Sequence, residues 1–272
     1  MSRPVALQLY SVREDASADF RATLEKVKEM GYDGVEFAGL FGNSAEEVKK
    51  MCESIGLVPV SAHVPLSDML KDPNEVFSQY KTVGCKYIAI PYLPGEDRKD
   101  ALSLYKFIGS AKVLGTIAKT YGLQLLYHNH EFEFEKINGE FIIDKLYKEI
   151  PMDLLQPQFD TCWINYAGEN PAEFLKKYSG RIEVVHLKDF ICQNKVDGPV
   201  YELIGNNKKT REENGFKFKA LGQGVQDFKE ILDACEKVDA EYLIVEQDQW
   251  YDDDPIECAR MSREYLKNTF GI

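Results

Sequence analysis

The stretch Leu123-Gln-Leu-Leu-Tyr-His-Asn-His130 (LQLLYHNH, 123–130) decides how this chain folds. It is a short apolar run that closes on two histidines, and Gly122 before it stops a helical pattern that runs to about Tyr121. With a strand period of two, Leu123 and Leu125 share one face and Gln124, Leu126, His128 and His130 the other. The chain's two other histidines sit the same way, His63 closing VPVSAH (58–63) and His186 near the end of IEVVHL (182–187). In a barrel of parallel strands the C-terminal strand ends carry the chemistry.

Working outward, seven more segments read as strands: VALQLY (5–10), DGVEF (33–37), VPVSAH (58–63), KYIAIP (86–91), LLQPQFD (154–160), IEVVHL (182–187) and EYLIVEQ (241–247). Capped amphipathic helices lie between them. A first helix is expected from Ser17 to about Met30, stopped by Gly31. Ser44 and Glu47 form a capping box, and Asp72-Pro73, Asn170-Pro171 and Asp254-Pro255 each supply an N-cap and a proline at the first helical position. Strands recur roughly every 25–35 residues, as in βαβ units. Eight strands with eight helices predict an α/β fold, a single-domain (β/α)8 TIM barrel over 1–272 with an inserted lid-like loop at about 190–222. An open doubly wound sheet is the runner-up, but no GxGxxG follows the first strand.

The helix-facing side of each strand must be apolar, which leaves Gln8, Tyr10, Glu36, Gln158, Asp160, His186, Lys188, Glu246 and Asp248 facing inward with His128 and His130. Carboxylates gathered at one mouth demand a compensating cation. Histidines among them point to a metal, because Mn2+ and Zn2+ accept mixed imidazole and carboxylate ligands. Lys and Arg total 33 against 45 Asp and Glu, a net charge of −12, which argues against nucleic acid as a partner. The six cysteines form no CxxC pair, and no stretch reads as a signal peptide or membrane span, so a reducing cytoplasm is expected.

Eight motifs then resemble one family, the xylose isomerase-like TIM barrels, also called sugar phosphate isomerase/epimerase-like proteins. They are LQLYSVR (7–13), MGYDGVEF (30–37), SAHV (61–64), YHNHEFEF (127–134), FDTCW (159–163), GRIEVVHLKD (180–189), LGQGVQDF (221–228) and VEQD (245–248). The resemblance implies a metal site of Glu133, Asp160, His186 and Glu246, with His130 or Glu135 as alternatives to Glu133. It departs from ketose epimerases at the fifth strand, where those place a glutamate and this chain has Tyr127-His128-Asn129-His130.

The expected cofactor is one divalent cation, Mn2+ first, with Zn2+, Mg2+ or Co2+ as alternatives. The expected enzyme is an isomerase or epimerase that abstracts a proton beside the carbonyl of a sugar or keto-sugar. Glu246 or Glu133 would take the proton, and His128, His130 or His63 would deliver one. Lys188 would contact a substrate oxygen, while Gln8, Tyr10, Glu36, His63, Trp163, Asp248 and Trp250 would bind substrate. A lyase or dehydratase acting on an inosose or 3-keto-glycoside, and a non-catalytic sugar-binding barrel, are the alternatives; a metal-dependent nuclease would need more histidines than four. Lys208, Lys209 and Arg211 in the insertion, and the Gly222-Gln223-Gly224 turn taken to open a helix, are candidate phosphate contacts. The sequence is also compatible with homo-oligomers.

Overall fold

A computed structural model describes residues 3–193, 215–251 and 253–272. Lys208, Lys209 and Arg211, with most of the expected lid, lie outside the described residues. The first five barrel strands are β1 (Val5–Gln8), β2 (Gly34–Phe37), β3 (Val58–Ala62), β4 (Tyr87–Ile90) and β5 (Gln124–His128). A small antiparallel pair follows, β6 (Lys136–Ile137) and β7 (Glu140–Phe141). Then come barrel strands β8 (Gln156–Asp160) and β9 (Val184–Leu187), a second antiparallel pair β10 (Asp189–Ile191) and β11 (Lys217–Lys219), and the last barrel strand β12 (Tyr242–Val245).

The eight parallel strands lie in the order β3-β2-β1-β12-β9-β8-β5-β4. The two ends meet: the Lys86 amide donates to the Val60 carbonyl at 3.1 Å and the Val64 amide to the Ala89 carbonyl at 3.1 Å. A single bridge pairs His63 with Ala89 there. The sheet is therefore a nearly closed TIM barrel in one domain, with helices between the strands.

The strands are shorter than periodicity predicts, and the trimmed ends matter. β1 stops at Gln8, because Leu9–Val12 turns into a 3-10 helix and leaves Tyr10 on the rim, 39 % exposed. β5 stops at His128, so His130 stands just beyond the strand. The single helix expected over 17–30 is two, Arg13–Ala18 and Phe20–Glu29, because the Asp19 carboxylate accepts the Ala22 amide at 3.0 Å and restarts the helix. The other caps form as read: Ser44 with Glu47, and Asp72, Asn170 and Asp254 each ahead of a proline.

The barrel interior is layered. At its N-terminal end the Tyr87 hydroxyl donates to Glu183 and Glu241. Above them Ala6, Val60, Leu126, Val184 and Ile244 form a dry apolar layer. The polar residues start one layer higher. Outside, Leu7, Val35, Leu125, Phe159, Val185 and Leu243 pack into the main core under the helices. Among the described residues no helix is long and apolar enough to cross a membrane.

Helix Ala101–Thr120 seats against the turn before β8. A Cβ at Gly115 would lie 2.1 Å from the Leu154 carbonyl oxygen, whereas one at Gly109, on the exposed face, would meet nothing within 4 Å. We expect Gly115→Ala to cost about 1–3 kcal/mol through overpacking and Gly109→Ala to add about 0.5–1 kcal/mol through helix propensity, both read from urea unfolding midpoints.

Candidate active site and metal centre

The site is built on a fully buried carboxylate. Glu36, facing inward from β2, accepts hydrogen bonds from Gln8 Nε2 at 2.7 Å, from the Ser61 hydroxyl and from Gln158 Nε2. His63 Nε2 lies 3.0 Å and His186 Nε2 2.8 Å from its Oε1. Burial pushes the Glu36 carboxyl up, but the His63 and His186 charges and hydrogen bonds outweigh it and hold the group well below the usual range. A carboxylate at Nε2 leaves the Nδ1 edge of His186 to face Glu246 Oε2, 2.9 Å away. Carboxylate–histidine pairs of this kind orient metal-binding imidazoles.

Above Glu36, ligand atoms of His128, Asp160, His186 and Glu246 converge within 4.8 Å of one another, and all four residues are buried. His128 Nε2 is 3.7 Å from Asp160 Oδ2 and 3.9 Å from Glu246 Oε2, too far for hydrogen bonds, and its Nδ1 is buried without a hydrogen-bond partner. Burial and the neighbouring His186 and His63 push the His128 imidazole well below its ordinary value, so it stands neutral with a lone pair available. The protein leaves this imidazole unsatisfied while aiming it at two carboxylates. Two imidazoles and two carboxylates are the donor set of a borderline divalent cation, so the residues fit such an ion.

Lys188 threads through the same cluster. Its Nζ is 2.9 Å from Asp160 Oδ2, 2.9 Å from Glu246 Oε2 and 3.2 Å from Asp248 Oδ1. Burial opposes its charge, but Asp160, Asp248 and Glu246 keep it protonated. Burial, joined by the charges of Glu246 and Asp160, lifts the Asp248 carboxyl to about 6 even against Lys188. Burial pushes His186 down, yet Glu36 and Glu246 raise it to about 10. Burial first, then the Lys188 charge, pushes His130 well below its ordinary value.

A cavity of about 440 Å³ opens onto this cluster; its lining includes His63, His128, His130, Glu246 and Asp248, with Tyr10 at the rim. Several expected residues fall elsewhere. Glu133 is turned away from the quartet: it sits on the 3-10 turn Glu131–Phe134, where it accepts the Tyr127 hydroxyl and, at 2.7 Å, the His130 amide. Burial pushes its carboxyl up to about 8. His128 takes the place that Glu133 was expected to fill in the convergent group, and Glu135 is exposed.

Gln8 and Glu36 form the layer beneath the cavity rather than its wall. Trp163 is wholly buried, stacked on Phe216 at 5.8 Å between ring centres, in an aromatic cluster behind the site. Trp250 stands at the rim, where the Arg13 guanidinium lies 4.4 Å from its ring and 4.0 Å from that of Tyr10. The Gly222–Gly224 turn does not open a helix; the next one starts at Phe228 behind Asp227.

One functional position, Asn129, escapes the strand pattern. Asn129 accepts the Asp160 amide at 3.0 Å and so ties β5 to the end of β8. Asp160 in turn accepts the Cys162 amide at 2.8 Å on Oδ1, capping helix Thr161–Ala167 with the same carboxylate whose Oδ2 faces Lys188 in the cluster.

Comparison with known proteins agrees with this architecture. A sugar phosphate isomerase/epimerase from Parabacteroides distasonis superposes with a TM-score of 0.79 at 18 % identity, over 98 % of this chain and 94 % of that one. The IOLI protein, solved with a bound zinc atom, superposes with a TM-score of 0.71 at 15 % identity over 97 % of each chain. Identities this low establish a shared fold. An inosose dehydratase from Clostridium beijerinckii is 32 % identical over 168 residues, which are 58 % of this chain and 52 % of the relative. The chain thus spans about half the length of the curated relatives it matches. The xylose isomerase-like TIM barrel model matches residues 24–269, and the chain belongs to that family.

Proposed function

We propose that this protein is a divalent-metal-dependent enzyme that removes a proton beside the carbonyl of a sugar or keto-sugar, and that His128, Asp160, His186 and Glu246 hold the metal. The observation that carries this reading is the convergence of those four buried residues beside an open cavity, whose wall includes His128 and Glu246. Mn2+ and Zn2+ both suit two imidazoles and two carboxylates. The zinc of the structurally similar IOLI protein supports a divalent ion without favouring Mn2+.

A bound dication supplies Lewis-acid polarisation of a carbonyl oxygen. The chain's own groups supply the rest. Lys188 holds a fixed ammonium against the same carboxylates, where it meets negative charge developing on a substrate oxygen. His130 follows β5 and Asp248 follows β12, and β8 and β9 separate those strands. The two side chains therefore reach the cavity from different sides of the quartet. Proton removal by one and return by the other gives epimerisation; return to the neighbouring carbon gives isomerisation. The inosose dehydratases that match in sequence support a second outcome, loss of a β-hydroxyl after the same first step. Glu133 has no part in proton transfer, because both its oxygens are engaged away from the cavity.

Metal analysis checks the ligand assignment. Wild-type protein reloaded with Zn2+ or Mn2+ should hold one ion, Asp160→Ala and His186→Ala should hold none, and Glu36→Gln should bind about 10–100-fold more weakly. Full metal content in Asp160→Ala would sink the assignment.

Glu133→Gln should retain the ion. It should also change the pH dependence of stability. A carboxyl at about 8 in the folded chain and near 4.3 unfolded contributes stability below about pH 4 that is lost as pH rises toward 8. Urea midpoints of wild type should therefore fall between pH 5 and 8 relative to those of Glu133→Gln.

Incubating metal-loaded protein in D2O with ketoses, inososes and 3-keto-glycosides should place deuterium on a carbon next to a carbonyl. His130→Gln should slow this by about 100-fold or more. No exchange with any of the panel would count against the catalytic reading.

A further inference from the structure

Many barrels of this architecture bind a substrate phosphate on backbone amides of the loops after the seventh and eighth strands. Here that cradle exists and is already filled from within. The Asp189 carboxylate, just past β9, accepts the amides of Gly222 at 3.0 Å and Gly224 at 2.8 Å on Oδ2, and those of Phe190 at 2.9 Å and Gln226 at 3.2 Å on Oδ1. The fit is close: a Cβ at Gly224 would lie 2.1 Å from Asp189 Oδ1. An intrinsic anion thus satisfies the donors that a phosphate would need.

The cavity wall also offers an anion no lysine or arginine side chain among the described residues. Its lining carries Asp68, Glu246 and Asp248, the last two paired with the buried Lys188 behind them. Past the histidines it continues between Ala38, Val64, Pro65, Val76, Tyr80 and Pro91, an apolar arm whose polar neighbours are Asp68 and Gln79. Val64 and Tyr80 are each 5 % exposed, and Ala38, Pro65, Val76 and Pro91 show more surface. A sugar ring over the quartet leaves this arm to be filled by something without charge.

We propose that the substrate is an unphosphorylated carbonyl sugar that bears an apolar substituent, with the ring over the His128–Asp160–His186–Glu246 quartet and the substituent along Val64, Pro65, Val76 and Tyr80. The carbonyl alone rests on the metal-assisted reading above; the missing phosphate and the apolar group rest on Asp189 and on the cavity wall.

Calorimetry on the metal-loaded protein tests this with phenyl and methyl 3-keto-β-glucosides, D-fructose and D-fructose 6-phosphate. The phenyl compound should bind on the order of tenfold tighter than the methyl one, as burial of an aromatic ring predicts. Val76→Asp should remove that preference, and fructose 6-phosphate should bind more weakly than fructose. Equal binding of the two glucosides, tighter binding of the phosphate, or no binding by any of the four would overturn the proposal. The same ligands in D2O separate the two readings. The expected preferences without deuterium exchange would defeat proton abstraction and leave the substrate class standing. Exchange with the preferences reversed would defeat the substrate class alone.

Discussion

The whole mouth of this barrel depends on one buried charge, the Glu36 carboxylate. Taking a carboxylate wholly out of water costs several kcal/mol unless every lone pair finds a donor. Glu36 meets that demand by gathering Gln8 from β1, Ser61 from β3, Gln158 from β8, His186 from β9 and His63 beyond β3. The register of β2 against β3 shifts between Val35 and Glu36, which sets Ser61 opposite the carboxylate. A constraint on one side chain thereby fixes the height and rotation of side chains on several strands. The consequence for chemistry is the ring plane of His186, whose Nδ1 edge is left facing Glu246.

Strand periodicity made most of this legible. Glu36, Asp160, His186, Lys188 and Glu246 all share the inward parity of their strands, and the barrel places them together. The pattern ran out where the strands did. Glu133 lies five residues beyond the end of β5, on a 3-10 turn, where a period of two no longer says which way a side chain points. There the Tyr127 hydroxyl, on the helix-facing side of β5, captures it. His128 carried the inward parity throughout, and its place in the convergent group follows from that parity better than from the family resemblance. Tyr10 shows the same limit at β1, lifted to the rim by the turn at Leu9–Val12.

The Gly222-Gln223-Gly224 turn failed to be legible for a different reason. Glycines that let amides converge on an anion look the same in sequence whether the anion is a ligand or the protein's own aspartate. Asp189 stands more than thirty positions earlier, next to Lys188, and only the pairing of β10 with β11 brings it under those amides.

His186, Lys188 and Asp189 therefore divide one segment of chain among three tasks, and together they set the charge that a substrate meets. His186 is held between Glu36 and Glu246, with its Nδ1 edge toward the proposed metal position. Asp189 is engaged by the amides of Phe190, Gly222, Gly224 and Gln226, which solvate its charge. Lys188 faces Asp160, Glu246 and Asp248. With a dication on the quartet, one ammonium and one dication would offset Asp160, Glu246 and Asp248, and the Glu36 carboxylate beneath leaves the centre with no positive excess. Such a centre has no long-range pull on a dianionic phosphate. On the proposed reading, the metal and the Lys188 ammonium would act more strongly on a substrate oxygen as negative charge develops there than on the neutral carbonyl. Such an arrangement would favour the reacting state over the bound ground state. On that reading, burying Lys188 among carboxylates is thus not only a device for stability: it would place the compensating charge where the proposed reaction creates the opposite one.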